Sequence, residues 1–400
     1  MAASTNAALR KIWFQVHLWI GVILTLVLIP LSVSGSLLVW HDQLDHLVEP
    51  QRYKVTGEAT RPLEDYAAAA RTVLGEDEPI AQIRMPEHEG SPVVVSAPMS
   101  FEGKPKPKGR PPQHNVWVDP GGAAVLDEGS SNDGVFRFLH VLHGSLFIPE
   151  VGRKVVGWLG WLMMVSALTG IWLWWPRKGG FLKGFSWRRS PLTTGRLHHQ
   201  VGIWIAIPLA VLSFTGAYIS FPQTMKKAAS VFVGAEAQKG DRDGGADKGK
   251  GRKKGERAPA GPQPRPRPLD DPRLTPDQAV DAAGALRAAH GMTLFQVSYP
   301  TVKKAEWSVT WRAGERSVEA VVDDATGKAK VKPREDEKTT AVARLMRRIH
   351  DGVGLGIVWQ TIIFLGGIAP AVLGITGIWM WIRLRGGRKD VEAARAGNGK

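Results

Sequence analysis

The sequence predicts a membrane protein. Its all-α core has four transmembrane helices laid out as a duplicated helix–outer domain–helix unit, with two small α+β extracytoplasmic domains. Three observations predict this: four long apolar runs, a helix pattern that recurs with a histidine in register, and two long polar segments with strand-like alternation.

The apolar runs are 12–40, 155–175, 201–221 and 356–382. Each holds roughly 20 or more largely apolar residues, enough at ~1.5 Å per residue to cross a ~30 Å hydrocarbon layer. Tryptophan gathers near their ends (Trp13, Trp19, Trp40, Trp172, Trp174, Trp175, Trp379, Trp381), where an interfacial belt would put it. Arg10 and Lys11 followed by Ser32-Val33-Ser34 loosely resemble a signal peptide. The run continues to Trp40, however, and its pattern recurs at 198–221, where no signal peptide can stand. It is read as a retained anchor.

Basic residues near the runs set the orientation. Arg10 and Lys11 precede the first run. Arg177, Lys178, Lys183, Arg188, Arg189 and Arg196 lie between the second and third, and Arg383, Arg385, Arg388 and Lys389 follow the fourth. All fall on one side, which predicts that both termini are cytoplasmic and that the two long polar segments face outward. Arg153, Lys154, Arg344, Arg347 and Arg348 oppose the rule without reversing it. The net charge of +15 is explained by these loops and by the basic tract 238–257, so nucleic acid is not an expected partner.

The chain then divides into transmembrane helix 1 (12–40), a first outer domain (42–135), an outer helix with transmembrane helix 2 (136–175) and a cytoplasmic basic loop (176–196). Transmembrane helix 3 (197–222), a second outer domain (223–345), transmembrane helix 4 (346–382) and a cytoplasmic tail (383–400) follow. In the first outer domain, 62–74 reads as helix and 80–85, 92–97 and 116–118 as strands, the last ending at a Pro120-Gly121-Gly122 turn. In the second, Thr275 is a helix N-cap with Pro276 behind it. Strands are expected at 294–299, 307–311 and 318–322. The insert 234–271 is rich in Gly, Lys, Arg and Pro and reads as a disordered linker.

Two register-matched pairs of histidines carry the functional signal. His17-Leu-Trp-Ile-Gly21 through Ser34-Gly35 parallels His198-His-Gln-Val-Gly202 through Thr215-Gly216, both at an offset of 181 (198 − 17 and 216 − 35). His143 leads to Thr169-Gly170-Ile171-Trp172 and His350 to Thr376-Gly377-Ile378-Trp379, both at an offset of 207 (350 − 143 and 377 − 170). On the predicted topology His17 and His198 lie at the inner face and His143 and His350 at the outer. Two ligands per face suit two haems b, six-coordinate through imidazole and therefore fitted to electron transfer. Gly21 and Gly202, one turn beyond their histidines, either admit a porphyrin edge or pack helices. Arg10, Arg196, Arg137 and Arg348 are candidate partners for haem propionates, with interfacial anchoring as the plainer role. His199 and His140 compete with their neighbours as ligands. Their repeat counterparts, Leu18 and Arg347, cannot ligate haem. His41, His46, His88, His114 and His290 are read as surface residues.

The chain has no cysteine, which excludes disulfides, thiolate-held clusters and covalent haem attachment. Gly352-Val-Gly-Leu-Gly356 has neither the spacing nor the setting of a dinucleotide loop. No hydrolytic triad, H-E-x-x-H or paired-carboxylate pattern appears.

The His17…Gly21…Ser34-Gly35 and Leu197-His198…Gly202…Thr215-Gly216 helices, with Leu142-His143-Gly-Ser-Leu146, Gly152…Gly157 and Thr169-Gly-Ile-Trp172, resemble the PepSY-associated transmembrane proteins. This bacterial inner-membrane group includes siderophore-iron reductases. The resemblance implies PepSY-like outer domains and a di-haem protein that reduces ferric siderophores or other ferric chelates on the periplasmic side. Its electron donor would be a cytoplasmic reductase or quinol. The sequence departs from the pattern after His350, where Asp-Gly-Val-Gly-Leu-Gly356 replaces the Gly-Ser-Leu that follows His143. The competing expectations are a non-enzymatic PepSY protein that binds peptides or regulates a partner, and a transporter.

Overall fold

The computed structural model describes residues 2–99, 112–176, 181–187, 190, 192–225, 227–228, 266–314, 316–332 and 337–397. Most of the linker (234–265), Arg177, Lys178, Arg188 and Arg189 lie outside the described residues. The chain forms two compact units, one drawn from 1–41, 138–245 and 336–400 and the other from 42–137 and 246–335.

Four helices of the first unit are long and apolar enough to cross a membrane: α1 (Ala2–Val39), α5 (Gly152–Trp174), α6 (Thr193–Ser220) and α9 (Gly356–Gly397, apolar through Arg383). The chain is a multi-pass membrane protein. α1 packs on α5 and α9, and α6 packs on the same two, closing a four-helix ring. Small residues let the backbones approach. A Cβ added at Gly160 of α5 would lie 3.0 Å from the Ser213 carbonyl of α6, and one at Gly374 of α9 would meet Thr25 of α1 at 2.7 Å. The Ser36 hydroxyl of α1 donates to the Phe364 carbonyl of α9 at 2.9 Å. Leu24, Leu28 and Leu31 of α1 bury themselves against Leu159 of α5.

Two short helices precede α5 and α9: α4 (Val135–Ser145) and α8 (Glu337–Asp351). The sequence places His143 and His350 at or just before spans, and the structure puts them on these separate helices. The chain turns sharply into each span. In the first turn Leu146, Phe147 and Glu150 adopt positive φ (52°, 57°, 62°), and in the second Gly352, Gly354 and Gly356 do so (77°, 72°, 80°). Left-handed backbone costs a side-chain-bearing residue about 1 kcal/mol or more. Glycine adopts this backbone without that cost, so the turn after Asp351 carries glycine at its left-handed positions where the turn after Ser145 carries Leu, Phe and Glu.

The second unit holds helices α2 (His41–Val48), α3 (Leu63–Arg71) and α7 (Pro276–Gly284). Its strands are β1 (Gln82–Arg84), β2 (Val93–Pro98), β3 (Gln113–Val118), β4 (Val125–Ser130), β5 (Thr293–Ser298), β6 (Glu306–Ala313), β7 (Arg316–Asp323) and β8 (Ala329–Val331). The two polar segments share one antiparallel sheet, ordered β4-β3-β2-β1-β5-β6-β7-β8. They join at the centre, where Ile83 of β1 faces Val297 of β5 and both are fully buried.

α3 and α7 cover this sheet, with Tyr66, Ala67, Ala279 and Ala283 in its core. Thr275 and Gln278 form a reciprocal capping box on α7. The Asp277 carboxylate accepts from the Leu63 and Glu64 amides and so caps α3 from the other segment. Asp119 and Asp324, at the turns after β3 and β7, fix their loops in similar ways. Asp119 accepts from the Thr56 and Gly122 amides. Asp324 accepts from the Arg273 amide and the buried Trp307 indole.

Candidate functional site

The four register-matched histidines meet in two pairs, each joining the first half of the chain to the second. The His17 and His198 rings lie 6.3 Å apart between centroids at an interplanar angle of 89°. Those of His143 and His350 lie 6.1 Å apart at 37°. A metal ion held between two imidazole nitrogens sits about 2.0 Å from each. Adding the distance from nitrogen to ring centre on both sides separates the centroids by roughly 6 Å. Both pairs have that spacing.

One rule positions all four rings. Each packs on a Ser/Thr-Gly step of a neighbouring helix, where the glycine makes room and the residues before it accept the Nδ1 proton. A Cβ on Gly35 would fall 2.5 Å from His143 Cε1, on Gly216 2.9 Å from His350 Cε1, on Gly170 3.2 Å from His17 Cε1, and on Gly377 3.5 Å from His198 Cε1.

His17 Nδ1 lies 3.0 Å from the Ser166 carbonyl and 3.1 Å from Thr169 Oγ1. His143 Nδ1 lies 2.7 Å from the Leu31 carbonyl. His198 Nδ1 meets Thr376 Oγ1 at 3.1 Å, with the Leu373 carbonyl as its backbone partner. His350 Nδ1 meets Thr215 Oγ1 at 3.0 Å, with the Leu212 carbonyl as its backbone partner. In every case the carbonyl belongs to the residue four before the glycine.

These bonds fix the tautomer. The hydroxyls of Thr169, Thr215 and Thr376 donate their own protons to helix carbonyls one turn back, so toward imidazole they can only accept. A carbonyl also only accepts. Nδ1 therefore carries the proton in all four rings, and Nε2 keeps the lone pair that a metal needs. Burial pushes His143 and His350 down to about 4, which keeps both in the neutral, ligating form.

Among the described residues no group of three or more His, Cys, Asp or Glu is placed to hold a metal ion. The site therefore offers two protein ligands per centre, too few for a structural tetrahedral ion but sufficient for a metal inside a macrocycle that brings its own ligands. There is also room for a flat group. A Cβ on Gly21 would meet nothing within 4 Å, and one on Gly202 only Leu373 Cδ2 at 3.7 Å. Neither glycine is needed for close helix packing at these points.

A profile of the PepSY-associated TM region matches residues 14–383. The chain belongs to this family. Comparison with curated proteins gave no match.

Among the other candidates of this PepSY-associated chain, His140 meets His41 rather than either central pair, with ring centroids 6.2 Å apart. The ring that faces His17 is that of His198, not of its neighbour His199. The Arg10 guanidinium donates to the Leu173 and Trp175 carbonyls at the end of α5. Arg196 donates to the Ser190 carbonyl at 2.8 Å and Arg348 to the Gly354 carbonyl at 3.3 Å, while Arg137 is exposed on α4. The visible work of the first three is to hold helix ends and turns.

Two histidines read from sequence as surface residues have partners in the structure. Half-buried His41 meets His140 of α4. His114 is largely buried in the second unit, 2.7 Å from Glu78 and 3.5 Å from Glu128. His140 and Glu78 come from segments distant in sequence, so local composition carried no sign of them.

Proposed function

We propose that this chain is a di-haem b electron-transfer protein of the bacterial inner membrane, with both termini cytoplasmic. It takes electrons from a cytoplasmic reductase or quinol and reduces ferric chelates, such as siderophore-bound iron, on the periplasmic side. The observation that carries this reading is the pair of His–His contacts at 6.3 and 6.1 Å, each with Nδ1 committed to the fold. His17 and His198 would hold one haem and His143 and His350 the other. A haem held by two imidazoles would supply one-electron transfer.

The four imidazoles bind through Nε2, and the Ser/Thr-Gly steps keep them from rotating. His17 and Gly35 are 18 residues apart on α1, as are His198 and Gly216 on α6. At ~1.5 Å per residue the two pairs are separated by about 27 Å along the helices, close to the ~30 Å hydrocarbon thickness. Each half of the chain contributes one ligand to each pair, in keeping with a duplicated helix–outer domain–helix unit whose outer parts are PepSY-like.

The test is ferric-chelate reduction by proteoliposomes that enclose a reductant, followed with a ferrous-specific chromogenic chelator outside. The reading expects ferrous iron to appear outside at a rate that collapses when either pair loses a histidine. Rates equal to those of protein-free vesicles would contradict it. The second reading is a membrane protein that binds peptides or regulates a partner through its outer sheet. It is favoured by the described sheet ending in the edge strands β4 and β8, and peptide binding without electron transfer in the same vesicles would support it.

A further inference from the structure

We propose that His41 and His140 form a third metal site, one that takes a divalent first-row transition-metal ion reversibly from water. Their ring centroids are 6.2 Å apart, within the 6.1–6.3 Å range of the two central pairs and at the spacing of roughly 6 Å reached when one ion lies in line between two imidazoles. The placement is specific. His41 follows α1 six residues after Gly35, the notch that seats His143, and His140 precedes His143 on α4 by three residues, about one helical turn. The extra pair therefore stands beside the His143/His350 centre.

Its surroundings differ from those of the central pairs. His140 is exposed and His41 half-buried, so an ion can reach them from water without crossing the helix bundle. No third His, Cys, Asp or Glu completes a ligand set among the described residues. Such a site exchanges its ion instead of retaining it. Neutral imidazole suits Fe²⁺, Zn²⁺, Ni²⁺ and Cu²⁺, whereas Fe³⁺ in an oxygen-rich chelate has harder ligands already. The natural ion assigned here is ferrous iron, taken up as the ferric chelate is reduced. That identity rests on the reductase reading, but the existence of the site does not.

The experiment is equilibrium dialysis of untagged, full-length protein in detergent against Zn²⁺, with bound metal measured by mass spectrometry. His41→Gln, His140→Gln and, as control, the exposed His88→Gln are compared with wild type. The proposal expects each of the first two to lose one equivalent of Zn²⁺, or to bind it at least tenfold more weakly, while H88Q matches wild type. Circular dichroism confirms the fold of each variant, and glutamine keeps a polar side chain if alanine disturbs it. Zn²⁺ binding unchanged in H41Q and H140Q would overturn the proposal and leave the pair as an edge-to-face ring contact only. The haem content of the same samples is read separately. A colourless protein that shows the Zn²⁺ difference would contradict the reductase reading and sustain this site, and a di-haem protein without the difference would do the reverse.

Discussion

The His17/His198 and His143/His350 pairs, inner and outer on the topology proposed above, use the same seat in two different mountings. His17 and His198 sit within the continuous helices α1 and α6, so their height in the membrane is fixed by helix geometry. His143 and His350 ride on the short helices α4 and α8, joined to their spans by left-handed turns. The outer rings press closer to their glycines, at 2.5 and 2.9 Å from an added Cβ against 3.2 and 3.5 Å for the inner rings. The comparison teaches that a histidine on a short separate helix has the tighter seat. The pair placed by continuous long helices has the looser one.

The largest effect should come from the pairing itself. H17A should remove one haem, and H17A/H198A no more than that, whereas H17A/H143A should remove both. Haem per chain measured on all three variants checks this, and additive loss within a pair would break the assignment. Next come the seats. Gly35→Ala and Gly216→Ala should displace the outer rings and cost about 1–3 kcal/mol, as overpacking does. Gly377→Ala should be nearly neutral, because its added methyl finds ordinary contact distance. Haem retention through a thermal ramp ranks them, and equal sensitivity at Gly35 and Gly377 would erase the distinction between mountings.

The turns give a smaller effect. Gly354→Ala has room, since the nearest atom to the new methyl is Arg348 Nη2 at 3.5 Å, so its cost is the backbone term alone, about 1 kcal/mol. Thermal unfolding should show a loss of that size, and its absence would mean the turn relaxes. The smallest effect is Thr376→Val, which removes one hydrogen bond worth about 1 kcal/mol while the Leu373 carbonyl still holds His198. A small shift in the inner haem's midpoint potential, with haem content unchanged, is the expected outcome. Loss of that haem would show the hydroxyl to be the essential partner.

Much of this arrangement was legible in the sequence. The four spans follow from apolar length, and the strands β2, β3, β5, β6 and β7 from branched apolar clusters. The Thr275 N-cap follows from Thr275 and Pro276, and the structure adds Gln278 as its reciprocal partner. The register of His17 with His198 and of His143 with His350 identified the candidate ligands. β4 and β8 escaped because Leu126-Asp-Glu-Gly-Ser130 and Ala329-Lys-Val331 carry too little apolar alternation to read as strand. The single sheet escaped because alternation names the faces of β1 and β5, not their neighbour. The turn at 146–150 escaped because its left-handed residues are Leu, Phe and Glu, which give no sign in sequence. Ser34-Gly35 and its three equivalents were visible as motifs, but their role was not. That each glycine faces a histidine from another helix is a tertiary fact, and sequence reasoning weighed only Gly21 and Gly202, as porphyrin-edge or helix-packing positions.

The most direct test is a dithionite-reduced minus oxidised visible spectrum of detergent-purified protein, with haem quantified as the pyridine haemochrome. The account predicts two haems b per chain, falling to one when His17, His198, His143 or His350 is replaced by alanine. A colourless protein that cannot be reconstituted with haem would contradict it and leave the four histidines as a packing device.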